Sequence, residues 1–542
     1  MRRRVLFSLF VFALFGVLVE GGLRLAGYQG QPDRTVSWSP EHVPPSPPFF
    51  PTLEVEGHPY RAARTPSQPH PWSSEKPANT LRIVALGGSA VHGYGFTRVG
   101  SWPDKVEERL VVDGADVEVL NLGAIAWSSQ QLVMLVKEAL ALQPDAFVVY
   151  SGNNELLEWV GARQYLPEPE LRRWVRSTTW ARRLRTLRSY RWMAEALSER
   201  PGVWGQTDFR QAEPIPMVER APITDADRAF AEGQLRHNLR RIVELAGDIP
   251  VVVSTVPLNL AYQPADTQDP CVEAQSEATG QADRLLQEGR RDEAFALAEA
   301  AFSACPDPMQ AWHWGSALRR HGEVELAREW LERAMLLDAS PNRAAPYLSE
   351  VVGDLDGVLL VDGAAAIAAM SEDGLVDFGQ IYDHCHPTPE AHTVLASAIG
   401  EVLAEHFDGR LVEPPVAAEG HVDAWLGPAE FPLDPETERP GWYRVLEQER
   451  PKDAAAWNQQ GVVAWHVLDG SCAEGRVPCL SDAVRAFRRA LEDDPTLCVA
   501  HANLGRVFFA IDHPSAAEEL EIAAACGDER SAWYLERLSR RR

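Results

Sequence analysis

Apolar and polar positions follow two different rhythms along this chain. Between residues 80 and 150 the apolar residues come in short runs: Leu81-Arg82-Ile83-Val84-Ala85-Leu86, Val117-Glu118-Val119-Leu120 and Ala146-Phe147-Val148-Val149-Tyr150. Brief, partly β-branched runs that end near glycine predict buried strands of a parallel sheet. Pro250 to Pro257 and Gly357 to Asp362 predict two more. Elsewhere small and apolar residues recur at helical spacing. Gly315, Leu318, Gly322, Ala327, Leu331 and Ala334 fall where a helical-hairpin repeat of about 34 residues places them, and Gly289, Ala294, Ala301 and Pro306 fit the second half of a preceding unit. Trp457, Gly461, Ala483, Phe487, Ala490 and Pro495 fit another unit if roughly ten extra residues sit at its turn, and Leu504, Gly505, Phe508, Ala517 and Ala524 fit the next. The pattern therefore predicts an α/β sheet domain interrupted, and then followed, by helical hairpins.

The first three strand candidates share a feature that carries chemistry. They lead into Gly87-Gly88-Ser89, Asn121-Leu122-Gly123 and Ser151-Gly152-Asn153-Asn154-Glu155. Open α/β sheets place their sites at such carboxyl ends. A glycine lets a backbone N–H approach a ligand closely, and an asparagine adds an amide donor. The N–H groups of Ser89 and Gly123 and the side chain of Asn154 would make a three-donor oxyanion hole. Phosphate loops fit less well: Gly88 and Gly93 have P-loop spacing, but Tyr94 stands where Lys belongs. The G-x-S-x-G elbow fails at Val91.

Near the end of the α/β region lies Asp383-His384-Cys385-His386-Pro387. An Asp three residues before a His can take the imidazole Nδ1 proton and leave Nε2 free as a base. His384 has no Asp at that distance and is expected to be a bystander. His392 falls in a helix opened by Thr388-Pro389-Glu390, a good N-cap, first-position and first-turn sequence.

These four blocks together resemble the SGNH hydrolase superfamily, the GDSL-type esterases and lipases. The resemblance implies a flavodoxin-like three-layer α/β/α domain. It makes Ser89 the nucleophile, Asp383 and His386 the rest of the triad, and Gly123 and Asn154 the oxyanion donors beside the Ser89 amide. It implies neither metal nor organic cofactor. Gly88 replaces the family's frequent Asp before the serine, and Glu155 replaces Asp after the asparagine. The hairpins resemble tetratricopeptide repeats.

Composition narrows the partners. Fifty-two Lys and Arg against 78 Asp and Glu give a net charge of −26, which repels nucleic acid. Arg2, Arg3 and Arg4 precede an apolar run from Val5 to Val19, which predicts an uncleaved N-terminal membrane anchor with the remainder outside the cytoplasm. Seven cysteines are an odd number, so at least one is unpaired; in an exported protein Cys271 and Cys305, and Cys472 and Cys479, are candidate disulfides. Eight arginines between Leu171 and Arg191 accompany Trp174 and Trp180 on a segment expected to be a solvated helix against the domain, with a patch for an anionic lipid or glycan as the rival reading.

The expected organisation is an anchor over 1–28, a Pro-rich linker or domain edge over 29–79, and a hydrolase domain over 80–265 and 342–412. Inserted repeats would occupy 266–341, a linker 413–440 and terminal repeats 441–542. The expected activity is hydrolysis of carboxylic esters of a glycan or lipid, with a protein partner on the repeats. The same triad would serve an O-acyltransferase of envelope or exported polysaccharide. A third reading makes the repeats an envelope scaffold with a vestigial hydrolase domain.

Overall fold

The computed structural model of the 542-residue chain describes residues 16–26, 50, 52–62, 71–94, 100–125, 127–156, 188–189, 223–265, 270–338, 340, 343–423, 451–466 and 480–542. Most of the predicted anchor, the arginine-rich segment, and Cys472 and Cys479 lie outside them. Among the described residues no helix is long and apolar enough to cross a membrane. Residues 1–49 and 158–218 form one compact unit. Within it, residues 16–25 are helical and Glu20 accepts hydrogen bonds from Arg24 and Ser189.

The second unit holds everything else. It begins with three antiparallel strands in the order β1 (Thr52–Val55), β2 (His58–Ala62) and β3 (Pro71–Ser73). They lie in the stretch expected to be a Pro-rich linker or domain edge, where no strand is evident from the sequence. Each strand offers too few apolar residues, set among prolines, to show a period in the sequence. Val55, Tyr60 and Ala62 nevertheless bury themselves in the same core as the C-terminal helices.

The central sheet starts with β4 (Thr80–Gly87), which runs into a single turn, α1 (Ser89–His92), and then α2 (Trp102–Arg109). Next come β5 (Leu110–Val111), β6 (Asp116–Asn121), α3 (Ser129–Ala139), β7 (Ala146–Tyr150), α4 (Asp225–Ala246) and β8 (Val251–Ser254). An insertion of four helices follows: α5 (Pro270–Gln287), α6 (Arg291–Ala304), α7 (Pro308–Arg320) and α8 (Val324–Leu337). The chain returns through α9 (Pro346–Gly353), β9 (Leu359–Val361), α10 (Gly363–Ala368), α11 (Pro389–His406) and β10 (Arg410–Leu411), the last paired with β5. It ends in α12 (Ala454–His466), α13 (Leu480–Asp493), α14 (Cys498–Ala510), α15 (Ala516–Ala525) and α16 (Glu529–Arg541).

The five sheet strands are all parallel and ordered β6-β4-β7-β8-β9. Counted within the sheet this is 2-1-3-4-5, the flavodoxin-like winding. Helices α2, α10 and α11 pack together, as do α3, α4 and α9, giving two helical groups around the sheet. Trp102, Val106, Ile367, Leu395 and Ile399 are buried in one core with strand residues Ile83 and Val119. Such a sheet binds ligands where the winding reverses, here between β4 and β7. The register pairs Gly87 with Tyr150, so the segments carrying Ser89 and Asn154 emerge side by side at that crevice.

The helical hairpins repeat one packing device. An added Cβ at Gly315 would press on Leu331, at Gly461 on Phe487, and at Gly505 on Leu520. In these three hairpins a glycine on the first helix thus admits an apolar side chain of the second. Cys498 and Cys526 form a disulfide across the α14–α15 hairpin. Cys305 is also disulfide-bonded, whereas Cys385 is free and buried.

Candidate active site

Ser89 is the first residue of α1, directly after the β4 strand and the Gly87-Gly88 turn. Its N–H therefore lies at the helix end whose amides have no intrahelical acceptor. Its Oγ lies 2.7 Å from Nε2 of His386. On the far side of the ring, Nδ1 lies 2.6 Å from Oδ2 of Asp383. A carboxylate only accepts, so Nδ1 carries the proton and Nε2 is left as acceptor for the serine hydroxyl.

Asp383 is held by its own turn: Oδ1 accepts the backbone N–H groups of Cys385 and His386, each at 2.9 Å. Burial raises the pKa of this carboxyl, but the bond from His386, the charge it would carry and the Cys385 amide outweigh burial and bring it down to about 2. The three residues that the sequence pattern singled out from distant segments thus form one hydrogen-bonded line, with Ser89 and His386 both buried.

The predicted oxyanion donors are placed less uniformly. Asn154 follows β7, and its Nδ2 donates to the Trp127 carbonyl at 3.0 Å, which engages one of its two hydrogens. An added Cβ at Gly88 would sit 2.8 Å from that nitrogen and 3.1 Å from the Trp127 oxygen. A side chain at position 88 would have to displace the Asn154 amide, so the glycine lets that amide sit against the strand end. Gly123 differs from the expectation: its N–H donates to Oδ1 of Asn121 at 3.0 Å, closing a tight polar turn instead of standing open.

Glu155, the second departure from the family pattern, braces the same loop. Its oxygens accept from the Ser129 amide at 2.9 Å, the Ser129 hydroxyl at 2.7 Å and the Ser151 hydroxyl at 3.0 Å. Burial pushes its pKa up despite these bonds. His384 sits 3.7 Å from Asp383, and burial lowers its pKa to about 4, so it is a neutral neighbour near pH 7. His392 lies within α11, where its Nδ1 accepts the Trp102 amide at 3.2 Å.

Several neighbours carry no motif. Tyr94 and Tyr382 flank the His386 imidazole, with ring centroids 4.7 and 5.7 Å away, and Tyr382 Oη donates to the Tyr94 carbonyl. Asn259 bonds to the backbone of Asp383 itself. The available signal was its place just beyond the β8 strand, another carboxyl end of the sheet. A metal fits poorly here. Asp383, Cys385 and His386 form the one compact trio of suitable donors among the described residues, but two of them already share the 2.6 Å bond. Burial also raises the Cys385 pKa, away from the thiolate a metal needs.

Neither a protein-family model nor a curated protein matches the chain. Among solved structures, it is similar to a protein from Desulfitobacterium hafniense described as a lipolytic protein of G-D-S-L family, at 13% identity over 60% of this chain and 99% of that one. The TM-score of that likeness is 0.26, too low to add to what the geometry of the site shows.

Proposed function

We propose that the protein is a serine hydrolase of carboxylic esters that works through Ser89, His386 and Asp383. The observation that carries this reading is the unbroken line from Ser89 Oγ through the imidazole to the Asp383 carboxylate. In the reaction, His386 Nε2 takes the Ser89 hydroxyl proton as Oγ bonds to the ester carbonyl carbon. Electrons move onto the carbonyl oxygen, and Asp383 stabilises the imidazolium. Collapse breaks the bond to the alcohol, which leaves with the proton from Nε2. Water then repeats the sequence on the acyl-serine and restores the enzyme.

The oxyanion would meet the Ser89 N–H and Asn154 Nδ2, each worth on the order of 3 kcal/mol. Gly123 would join them by giving up Asn121. In this reading the enzyme acts outside the cytoplasm, held by its N-terminal segment. The Cys498–Cys526 disulfide and the arginine-flanked apolar run support that location.

The test is p-nitrophenyl acetate turnover by the full-length protein beside Ser89→Ala of equal folded content. Turnover present in the first and lost in the second is expected. Equal rates in the two would contradict the proposal. Adding a glycan acceptor and measuring acyl transfer against free acetate separates hydrolase from acyltransferase.

A further inference from the structure

The loop that carries Asp383 and His386 closes on itself, with the Tyr382 amide donating to the His386 carbonyl at 3.0 Å and the Thr388 amide to the Gln380 carbonyl at 2.8 Å, but the triad also needs the loop as a whole placed to within a fraction of an ångström. Asn259 supplies one fixed point. Its side chain is fully buried, and Nδ2 donates to two carbonyls of that loop, Ile381 at 2.9 Å and Asp383 at 2.6 Å. Its Oδ1 accepts from the amides of Ala261 and Tyr262, at 3.0 and 3.1 Å, which folds its own segment into a tight turn. All four hydrogen-bonding positions of the amide are therefore used, two toward each loop.

Both loops are gripped from outside by the inserted helices. Arg319 of α7 donates to Asp373 at 2.6 and 3.0 Å and to Asp377 at 2.9 Å, on the segment leading to the triad aspartate. Arg328 of α8 donates to the Gly374 carbonyl at 3.1 Å. On the Asn259 side, Trp312 Nε1 of α7 donates to the Leu260 carbonyl at 3.1 Å. Just beyond α8, Arg343 pairs with Asp338 at 2.6 Å and donates to the Tyr262 carbonyl at 3.0 Å.

We propose that the insertion serves the catalytic centre, and that Asn259 is the positioning residue through which its grip reaches Asp383. This rests on the ester-hydrolase reading above. The inserted hairpins hold the post-β8 loop and the acid–base loop in one register, and Asn259 pins the second to the first at the triad aspartate itself. Misplacing the imidazole by about 1 Å costs up to a hundredfold in rate.

Asn259→Asp separates this role from a local one. The carboxylate keeps the acceptor for Ala261 and Tyr262 but loses both donors. Kinetics with p-nitrophenyl acetate are measured on the full-length protein at pH 8, with rates expressed per molecule shown to be folded by near-ultraviolet circular dichroism, and the wild type is also labelled with a fluorophosphonate. The expected result is a kcat lower by about tenfold or more with KM within twofold. Arg319→Met should lower kcat several-fold, again without moving KM. Asn259→Asp at wild-type kcat overturns the positioning role, and Arg319→Met at wild-type kcat overturns the part assigned to the insertion. A wild type that neither labels nor turns over contradicts the hydrolase reading instead, and this one with it.

Discussion

Asp383 shows how a single carboxylate sets the chemistry proposed for this site. Its pKa of about 2 keeps it ionised throughout the neutral range, so its grip on the Nδ1 proton does not vary with pH there. Loss of activity on mild acidification, above about pH 4, must then come from another group, because a carboxyl depressed this far takes up its proton only near its own low pKa. In Asp383→Asn the remaining oxygen keeps the Cys385 and His386 amides, so an NH2 donor faces Nδ1 in place of the charged oxygen and holds the imidazole in the wrong tautomer. We expect kcat to fall by roughly 10⁴-fold and to stay low across about pH 5 to 8. A pH–rate series on the variant checks both statements; a loss under tenfold would remove Asp383 from the triad. At this scale the sequence was most informative. Ser89, Asp383, His386 and Asn154 are legible because strand-end glycines and an Asp-x-x-His spacing are local signals. Asn259 and the Gly123–Asn121 turn are not, since each depends on where a side chain points after folding.

Among the elements, strands β4, β6, β7 and β8 were legible because burial on both faces writes nearly continuous apolar runs, and the hairpins because small residues recur where helices touch. Gly315, Gly461 and Gly505 mark those contacts even with extra residues at the turn of one hairpin. Strands β1 to β3 were hidden by their brevity and their prolines. The disulfide was missed for a geometric reason. Cys498 opens α14 and Cys526 follows α15, so an antiparallel hairpin brings residues 28 apart to a Cα–Cα distance of 6.2 Å. Closing a loop of that length lowers the entropy of the unfolded chain by an amount worth roughly 3 to 4 kcal/mol. The double variant Cys498→Ser, Cys526→Ser should therefore melt several degrees lower with unchanged kcat. Calorimetry beside esterase assays checks this; an unchanged melting temperature would remove the stabilising role of the bond.

In the second unit as a whole, the terminal helices are tied into the domain of the parallel sheet. Arg537 and Arg541 of α16 reach Asp116 of β6 at 2.7 and 2.8 Å, and Arg537 also donates to the Val117 carbonyl. Arg530 pairs with Glu108 of α2, while Asp423 accepts from Arg506 at 3.0 Å and from Tyr534. Asp116, Arg506, Arg530, Arg537 and Arg541 are buried, so breaking one of their pairs leaves a charge without water or partner. Burial alone would raise the Asp116 pKa, but the two arginines bring it below the usual carboxylate range. A depressed carboxyl adds stability above its unfolded pKa and loses that contribution as the pH falls through the folded one. Arg537→Met should cost about 3 kcal/mol near pH 7, and the deficit should shrink as the pH falls through the carboxylate range near 4. Urea melts at several pH values test this; a deficit that does not change with pH would assign the loss to packing alone. No local pattern foretold this contact, because arginines on a polar-looking last helix read as solvated until the fold gives them acidic partners.

The central claim is that Ser89 is a nucleophile activated by His386. Its most direct test is the mass and position of the adduct left by a fluorophosphonate on the full-length, folded protein. The account predicts one phosphonyl group, mapped to the peptide containing Ser89, absent from Ser89→Ala and formed far more slowly in His386→Ala. An adduct on another residue, or none on folded wild-type protein, would contradict it.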